Sequence, residues 1–226
     1  MKIGICIPFY NNSKEAKDRL IYLLETIKNQ MEYPENFEIA VVLDGPMEEF
    51  LEKYDGRWSI SIISMERHRG VSAARNMGLD FLQKKDCAYI GFIDADDSIS
   101  SDYLLEAMCA CMDNEYDILD ARFIQGIEVF GTLEDNERQK QIVRNGVVAT
   151  LIKSSVIGGK RFDETMLVGE DSDFMNRVID LKKHKKGLFK GMYVYNFGAN
   201  PDSIIMRAQQ NRLTWQIDNA KEMLYN

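Results

Sequence analysis

Asp94, Asp96 and Asp97 place three carboxylates within four positions, at the end of the apolar run Tyr89-Ile90-Gly91-Phe92-Ile93. Such a run, β-branched and aromatic, reads as a buried strand, and nothing in strand stability calls for that ending. If the backbone stays extended, Asp94 and Asp96 point to the same side and can share one ligand. Carboxylates this close repel, and each raises the other's pKa unless a positive charge lies between them. Mg²⁺ or Mn²⁺ takes hard oxygen ligands and joins one or two carboxylates to the phosphates of a substrate. The pattern points to a metal and diphosphate site at the carboxyl end of a strand. The competing reading is an acidic loop capping the next helix, with Asp97, Ser98, Ser100 or Ser101 as N-cap. That reading suits Asp97 and leaves Asp94 and Asp96 unexplained.

The elements that must position these acids follow from the hydrophobic pattern. Residues 2–8 read as a strand ended by Pro8, followed by the polar turn Phe9-Tyr10-Asn11-Asn12-Ser13. Leu20, Leu23, Leu24, Ile27 and Met31 repeat at helical spacing, with Asn12 or Ser13 available as cap. Phe37 to Leu43 is a second strand, ending in Asp44-Gly45-Pro46; Glu48 to Tyr54 reads as an acidic amphipathic helix and Ser59 to Ser64 as a third strand. Val71 to Leu82 is helical in period, and Gly78 inside it implies a close backbone approach, because glycine costs a helix ~1 kcal/mol relative to alanine. Arg75 in this helix suits a pyrophosphate near the helix N-terminus or a surface pair with Asp80.

Beyond the acidic run, Tyr103, Leu104, Ala107, Met108 and Cys111 form a core-facing helical stripe. Strands are expected at 116–123, 127–130, 147–152 and 192–197, a helix opening at Glu170-Asp171 and running to Leu181, and a last helix within 204–224. The polar segment Thr132 to Gln141 reads as a mobile loop or as a boundary between two halves. Alternating strands and helices argue a single α/β domain with a mostly parallel, Rossmann-like central sheet flanked by helices. Ligands of open α/β sheets bind outside the carboxyl ends of the strands. Pro8 to Tyr10, Asp44 and Asp94 to Asp97 would then share one rim, where an aromatic ring can stack on a base and Asp44 can accept from a base imide or a ribose hydroxyl.

Composition bounds the class. With 226 residues, 45% hydrophobic and 28% charged, the chain has the balance of a globular domain, and no apolar run approaches the ~18 residues of a membrane span. The run at residues 3–7 is too short for a signal peptide and reads as the first strand. Cys6, Cys87, Cys109 and Cys111 lack zinc-ligand spacing and read as reduced core residues of a cytoplasmic protein. The net charge of −8 is unevenly spread: residues 1–137 carry 13 Lys and Arg against 27 Asp and Glu, and residues 138–226 carry 15 against 9. The basic half, with Lys182-Lys183-His184-Lys185-Lys186, reads as a solvated face or as a cradle for an acidic second substrate.

The motifs Ile5-Cys6-Ile7-Pro8-Phe9-Tyr10-Asn11, Val42-Leu43-Asp44-Gly45, Gly70-Val71-Ser72-Ala73-Ala74-Arg75-Asn76-Met77-Gly78 and Phe92-Ile93-Asp94-Ala95-Asp96-Asp97 closely resemble, in order, those of family 2 glycosyltransferases of the GT-A fold. Gly159 to Glu164 and Gly169 to Asp173 are similar to that family's glycine-Phe-Asp-Glu turn and Glu-Asp motif. The resemblance, from residue 3 to about residue 178, implies a metal-dependent inverting hexosyl transfer from a nucleotide-diphospho sugar, usually a UDP-sugar, to an acceptor hydroxyl. It implies one GT-A domain over 1–226, with 1–130 as the nucleotide-sugar-binding half and 131–226 as the acceptor-binding half ending in a helix. Pro8 and Tyr10 would line the base pocket, Asp44 would meet the base, Arg75 and Asp94 would serve the donor, and Asp96 would bind Mn²⁺ or Mg²⁺. Asp171 would be the general base, supported by Glu170, unless it only caps its helix.

One departure is a missing histidine. Many family members carry one late in the catalytic core, where this chain reads Tyr195 to Ser203 without any; Asn200, Asp202 or water would replace it. His68 and His184 read as surface residues. The acceptor expected from the basic half is a phosphate-bearing glycan, a lipid-linked intermediate or a hydroxymethylated DNA base, with a neutral glycan or a small hydroxylated molecule as the alternative. Two rival functions are a nucleotidyltransferase, which would usually open with a glycine-rich phosphate loop that residues 8–13 lack, and a non-catalytic nucleotide-sugar-binding module, for which retaining both Asp96 and Asp171 would be unneeded.

Overall fold

The protein is described by a computed structural model covering residues 1–11, 13–125, 128–130 and 146–196. The expected loop at Thr132–Gln141, the Gly198–Asp202 loop and the last helix lie outside these residues. Nine strands form one sheet: β1 (Ile3–Phe9), β2 (Phe37–Leu43), β3 (Ile60–Ser64), β4 (Tyr89–Phe92), β5 (Ser98–Ile99), β6 (Ile118–Gln125), β7 (Glu128–Phe130), β8 (Thr150–Lys153) and β9 (Lys186–Tyr195). The spatial order is β3-β2-β1-β4-β8-β6-β9-β5, with β7 paired to β6. β3, β2, β1 and β4 are parallel neighbours. β8 enters antiparallel between β4 and β6, so β6 and its parallel partner β9 again run the way β4 does. Six strands therefore point their carboxyl ends at one rim.

Among the described residues, five α-helices pack on the two faces: α1 (Lys14–Lys28), α2 (Val71–Lys84), α3 (Tyr103–Met112), α4 (Ser154–Ile157) and α5 (Glu170–Val178). Alternation along the strands divides the core in two. Ile3, Ile5, Ile7, Ile39 and Val41 join Leu20, Leu23, Leu24 and Ile27 of α1 and Tyr103, Leu104 and Ala107 of α3. Cys6, Ala40, Val42 and Ile90 join Ala73, Ala74, Leu79 and Leu82 of α2 and Phe174, Met175 and Val178 of α5. Ser13 starts α1 as expected, its hydroxyl accepting the Ala16 N–H at 3.1 Å. Gly78 provides the close approach of α2 to β1: a Cβ there would lie 2.3 Å from Cys6 Sγ.

Three local expectations change. Glu48–Tyr54 is not an α-helix but a 3₁₀ turn at Glu49–Leu51, with Leu51 and Tyr54 buried three residues apart, the 3₁₀ period. The strand expected at 147–152 begins at Thr150. α5 stops at Val178, since Ile179 is already extended. Cys6, Cys87 and Cys111 are buried and unpaired, and Cys109 is exposed.

Candidate active site

Along the carboxyl-end rim, the first station is where β1 and β2 finish. Phe9, Tyr10, Asn11, Leu43, Asp44, Gly45, Pro46 and Glu48 line a cleft of 70 Å³. Pro8, expected in that lining, is buried within β1 opposite Val42, and its neighbours Phe9 and Tyr10 face the cleft instead. Asp44 is buried at the end of β2. Its Oδ1 accepts the Arg69 N–H at 2.6 Å and its Oδ2 the Gly70 N–H at 2.8 Å, so it fixes the entry to α2 from another element. That entry needs help, because Gly70, with φ 98°, has no side chain to cap the helix.

His68 is a surface residue as expected, with its side chain 57% exposed, but it makes two contacts at the rim. Its Nδ1 lies 2.7 Å from Asp44 Oδ2, and its ring stacks on Tyr10 with centroids 4.2 Å apart. Nothing in the spacing of the loop 66–70 foretells either contact.

At the end of β4 the chain leaves the sheet in a turn, with the Asp97 N–H donating to the Asp94 carbonyl at 3.1 Å. Asp94 and Asp96 therefore diverge, where an extended backbone would have aligned them. Asp94 Oδ1 takes the Arg75 guanidinium at 3.0 Å. Asp96 instead borders a 300 Å³ cleft shared with Glu15, Asp18, Arg19 and Tyr22 of α1 and with Asp97, Ser98 and Asn196. Asp97 is not a helix cap. It is 2% exposed, and its carboxylate accepts from Tyr193 Oη at 2.5 Å and from the Asn196 N–H at 2.9 Å, while Asp102 stands at the N-cap of α3. Tyr193 also receives the Asp94 N–H at 3.1 Å, so the end of β9 pins the acidic turn from the side. These contacts join residues nearly a hundred positions apart, beyond the reach of local pattern.

Arg75 is the link across the site. It is 4% exposed, so the surface pair with Asp80 does not form; Asp80 binds Arg161 at 2.6 Å instead. One guanidinium nitrogen meets Asp94, and the other meets Glu170 Oε1 at 2.9 Å. Asp94 and the first turn of α5 are thereby tied through one buried cation. Glu170 and Asp171 open α5 after Gly169, which adopts a left-handed φ of 80° and supplies no capping side chain. Asp171 Oδ1 accepts the Ser172 N–H at 2.8 Å, and its carboxyl is part-buried.

Burial and mutual repulsion set the electrostatics of this rim. Burial raises the Asp96 pKa, with the Asp94 charge adding to it. Burial, again reinforced by Asp94, pushes Asp97 up to about 8 against the opposing hydrogen bond from Tyr193. Burial also raises Asp171, and the Ser172 N–H only partly counters it. Arg75 is held charged by Asp94 and Glu170 against its own desolvation. Among the described residues, no three His, Cys, Asp or Glu side chains converge as a metal cage. The hard oxygen of Asp96, with its charged form disfavoured, fits a divalent cation that takes one protein carboxylate and completes its shell with phosphate oxygens and water.

The basic run lies elsewhere. Lys186 pairs in register with Ile118, and Ile118 with Ile152, which places it at the amino-end rim; Val194 pairs with Ser98 at the other end of β9, beside the acidic turn. The run is also largely neutralised where it stands. Lys183 faces Asp180 at 3.4 Å, Lys186 faces Asp120 at 2.6 Å, and Lys185 pairs with Glu115. Its charge is spent on the fold, and it does not border the carboxylate rim.

A mostly parallel sheet with acids gathered at its carboxyl ends is the architecture of GT-A glycosyltransferases, and the chain belongs to glycosyl transferase family 2, whose family model matches residues 4–166. Its relatives include the minor teichoic acid biosynthesis protein GgaA of Bacillus subtilis, 26% identical over 92% of this chain and 50% of that protein. GgaB of the same organism is 28% identical over 92% of this chain and 24% of its own length. The uncharacterized glycosyltransferase MJ1057 of Methanocaldococcus jannaschii is 25% identical over 93% of this chain and 76% of that protein. The chain thus spans half or less of the two teichoic acid proteins. Among solved structures, S. aureus TarS 1–349 in complex with UDP superposes with a TM-score of 0.70 at 18% identity, over 86% of this chain and 60% of that one. The fold expected from the sequence is the fold found. No helix among the described residues is long and apolar enough to cross a membrane.

Proposed function

We propose that the protein transfers a sugar, with inversion, from a UDP-sugar to a hydroxyl of a phosphate-bearing glycan of the teichoic acid type. The observation that supports it most is the double ion pair of Arg75, which joins the acidic turn after β4 to the turn of α5 that carries Asp171. A donor diphosphate near Asp96 and an acceptor hydroxyl near Asp171 would meet across this buried guanidinium. Tyr10 and the Asp44 cleft would hold the base. UDP and UDP-GlcNAc occupy structures of the neighbouring TarS, which supports a uridine carrier. The acceptor class rests on the names of GgaA and GgaB. The run Lys182–Lys186 that suggested an anionic acceptor lies on the far rim, so it supports neither the glycan nor the DNA version, and the glycan is preferred on the names of the relatives alone.

In this reading Asp171 takes the proton of the acceptor hydroxyl as its oxygen attacks the anomeric carbon, and the bond to the diphosphate breaks on the opposite face. A carboxylate with a raised pKa is a better proton acceptor than an ordinary one, provided that it is ionised at the working pH. Arg75 holds Glu170 in place beside it through their 2.9 Å ion pair. Asp96 would hold Mn²⁺ or Mg²⁺, which supplies charge compensation to the leaving diphosphate. A single displacement with one base inverts the centre, without the covalent intermediate of a second carboxylate.

The test is to incubate the protein with Mn²⁺, a teichoic acid fragment and each of UDP-GlcNAc, UDP-glucose and UDP-galactose, and to read the anomeric configuration of the product by NMR. Transfer with inversion, lost in Asp171→Asn, supports the reading. Retention of configuration, or undiminished transfer by Asp171→Asn, would refute it.

A further inference from the structure

We propose that His68 is a positioning residue of the donor site, which sets how Tyr10 and Asp44 meet the nucleotide base. The inference rests on the reading of that cleft as the base pocket. Asp44 is 3% exposed and accepts two backbone donors, the Arg69 N–H on Oδ1 and the Gly70 N–H on Oδ2, while His68 Nδ1 approaches Oδ2 to 2.7 Å. A carboxylate offers about four acceptor positions, and His68 crowds the second position of Oδ2, which leaves the free position of Oδ1 as the open one. Without His68, Oδ2 would regain an open position, and a base could be read in two ways.

The second contact acts on Tyr10, the exposed aromatic at the pocket edge. At 48% exposure its ring has little else to hold it, and the His68 ring lies against one face at 4.2 Å with a 30° tilt. One face is thus backed by the protein, and the other is left for a planar base. His68 couples two devices that a base needs, a stacking surface and a directed acceptor, through opposite features of one imidazole. The nitrogen against Asp44 governs selectivity for a base with an imide N–H, and the ring governs affinity.

Two conservative variants separate these features, since His68→Phe keeps the ring and removes the nitrogen, whereas His68→Asn keeps a nitrogen and removes the ring. Binding of UDP and CDP in Mn²⁺ is measured for the native protein, His68→Ala, His68→Phe, His68→Asn and Tyr10→Ala. His68→Ala is expected to bind UDP about fivefold to tenfold more weakly, the loss appropriate to a stacked pair, and to narrow the preference for UDP over CDP. His68→Phe should recover affinity but not preference, and His68→Asn preference but not affinity. Equal losses in all three variants with an unchanged UDP-to-CDP ratio would reduce His68 to a structural residue and overturn the proposal. Native-like UDP binding by His68→Ala, with Tyr10→Ala impaired, would overturn it while leaving the base pocket intact. If Tyr10→Ala also binds UDP normally, the pocket itself is misassigned and the proposal falls with it.

Discussion

The two rims of the sheet treat their carboxylates in opposite ways. At the amino-end rim, Asp117 accepts the Lys185 N–H at 2.9 Å and Lys153 Nζ at 3.2 Å, and these donors, the backbone one first, hold its pKa below the usual range. Asp180 is lowered in the same manner, first by the Lys182 N–H. At the carboxyl-end rim, Asp96, Asp97 and Asp171 are all raised, chiefly by burial. At the first rim lysines and backbone amides lower Asp117 and Asp180, while Asp120, deeper in β6, is raised by burial against the pull of Lys186. At the other, burial outweighs the charge of Arg19 at Asp96, and Arg75 ties Asp94 to Glu170. Acids raised by burial at that end suit the proposed donor site, where a ligand that brings a cation would compensate them.

The contrast is broken most severely by asking which rim matters to turnover. Asp171→Asn should lower kcat by roughly 10²–10⁴-fold, the range lost with a general base, while Asp117→Asn leaves it within about twofold; a transfer assay on both variants decides it. The pH profile sharpens the same point. Asp171 must be ionised to work, and its pKa is raised, so the acid limb of kcat should fall at a higher pH than an ordinary carboxylate would give.

Arg75→Met tests the internal cation. Removing one partner from a buried ion pair strands the others, and a loss of about 3–5 kcal/mol in unfolding free energy is expected. Denaturant titration measures it, and the exposed Lys185→Ala on the far rim should not shift the midpoint detectably.

A smaller effect lies in the pH dependence of stability itself. The folded pKa of Asp97 is raised to about 8, so the ligand-free protein should lose stability as pH climbs from the ordinary carboxylate range to about 8. Asp117, being lowered, contributes stability above the ordinary carboxylate range and loses it as pH falls through its depressed value. Thermal midpoints across pH should show both slopes, with Asp97→Asn flattening the first and Asp117→Asn the second.

The sequence made the frame and the acids visible and their partners invisible. Strands such as Phe37–Leu43 and the stripe of Leu20, Leu23, Leu24 and Ile27 are local patterns, and they appear where periodicity puts them. The insertion of β8 against β4 and β6 is a matter of spatial order, which no local period encodes. Glu48–Tyr54 misled because burial every third residue suits a 3₁₀ turn as well as a helix. The acids of the rim were legible from type and spacing alone. What each one touches was not: Asp97 meets Tyr193, Arg75 meets Glu170, and Asp44 meets His68 through contacts that only the folded chain makes. The basic run erred in the opposite sense, since a charge sum over residues 138–226 ignores which rim the lysines occupy and what they already pair with.

The most direct test of the carboxyl-end rim is titration calorimetry of UDP-GlcNAc in Mn²⁺, on the native protein and on Asp96→Ala. Binding that requires Mn²⁺ and vanishes in Asp96→Ala is the result predicted for a donor site built around that carboxylate. Binding that is indifferent to Mn²⁺ and undiminished in Asp96→Ala would contradict it.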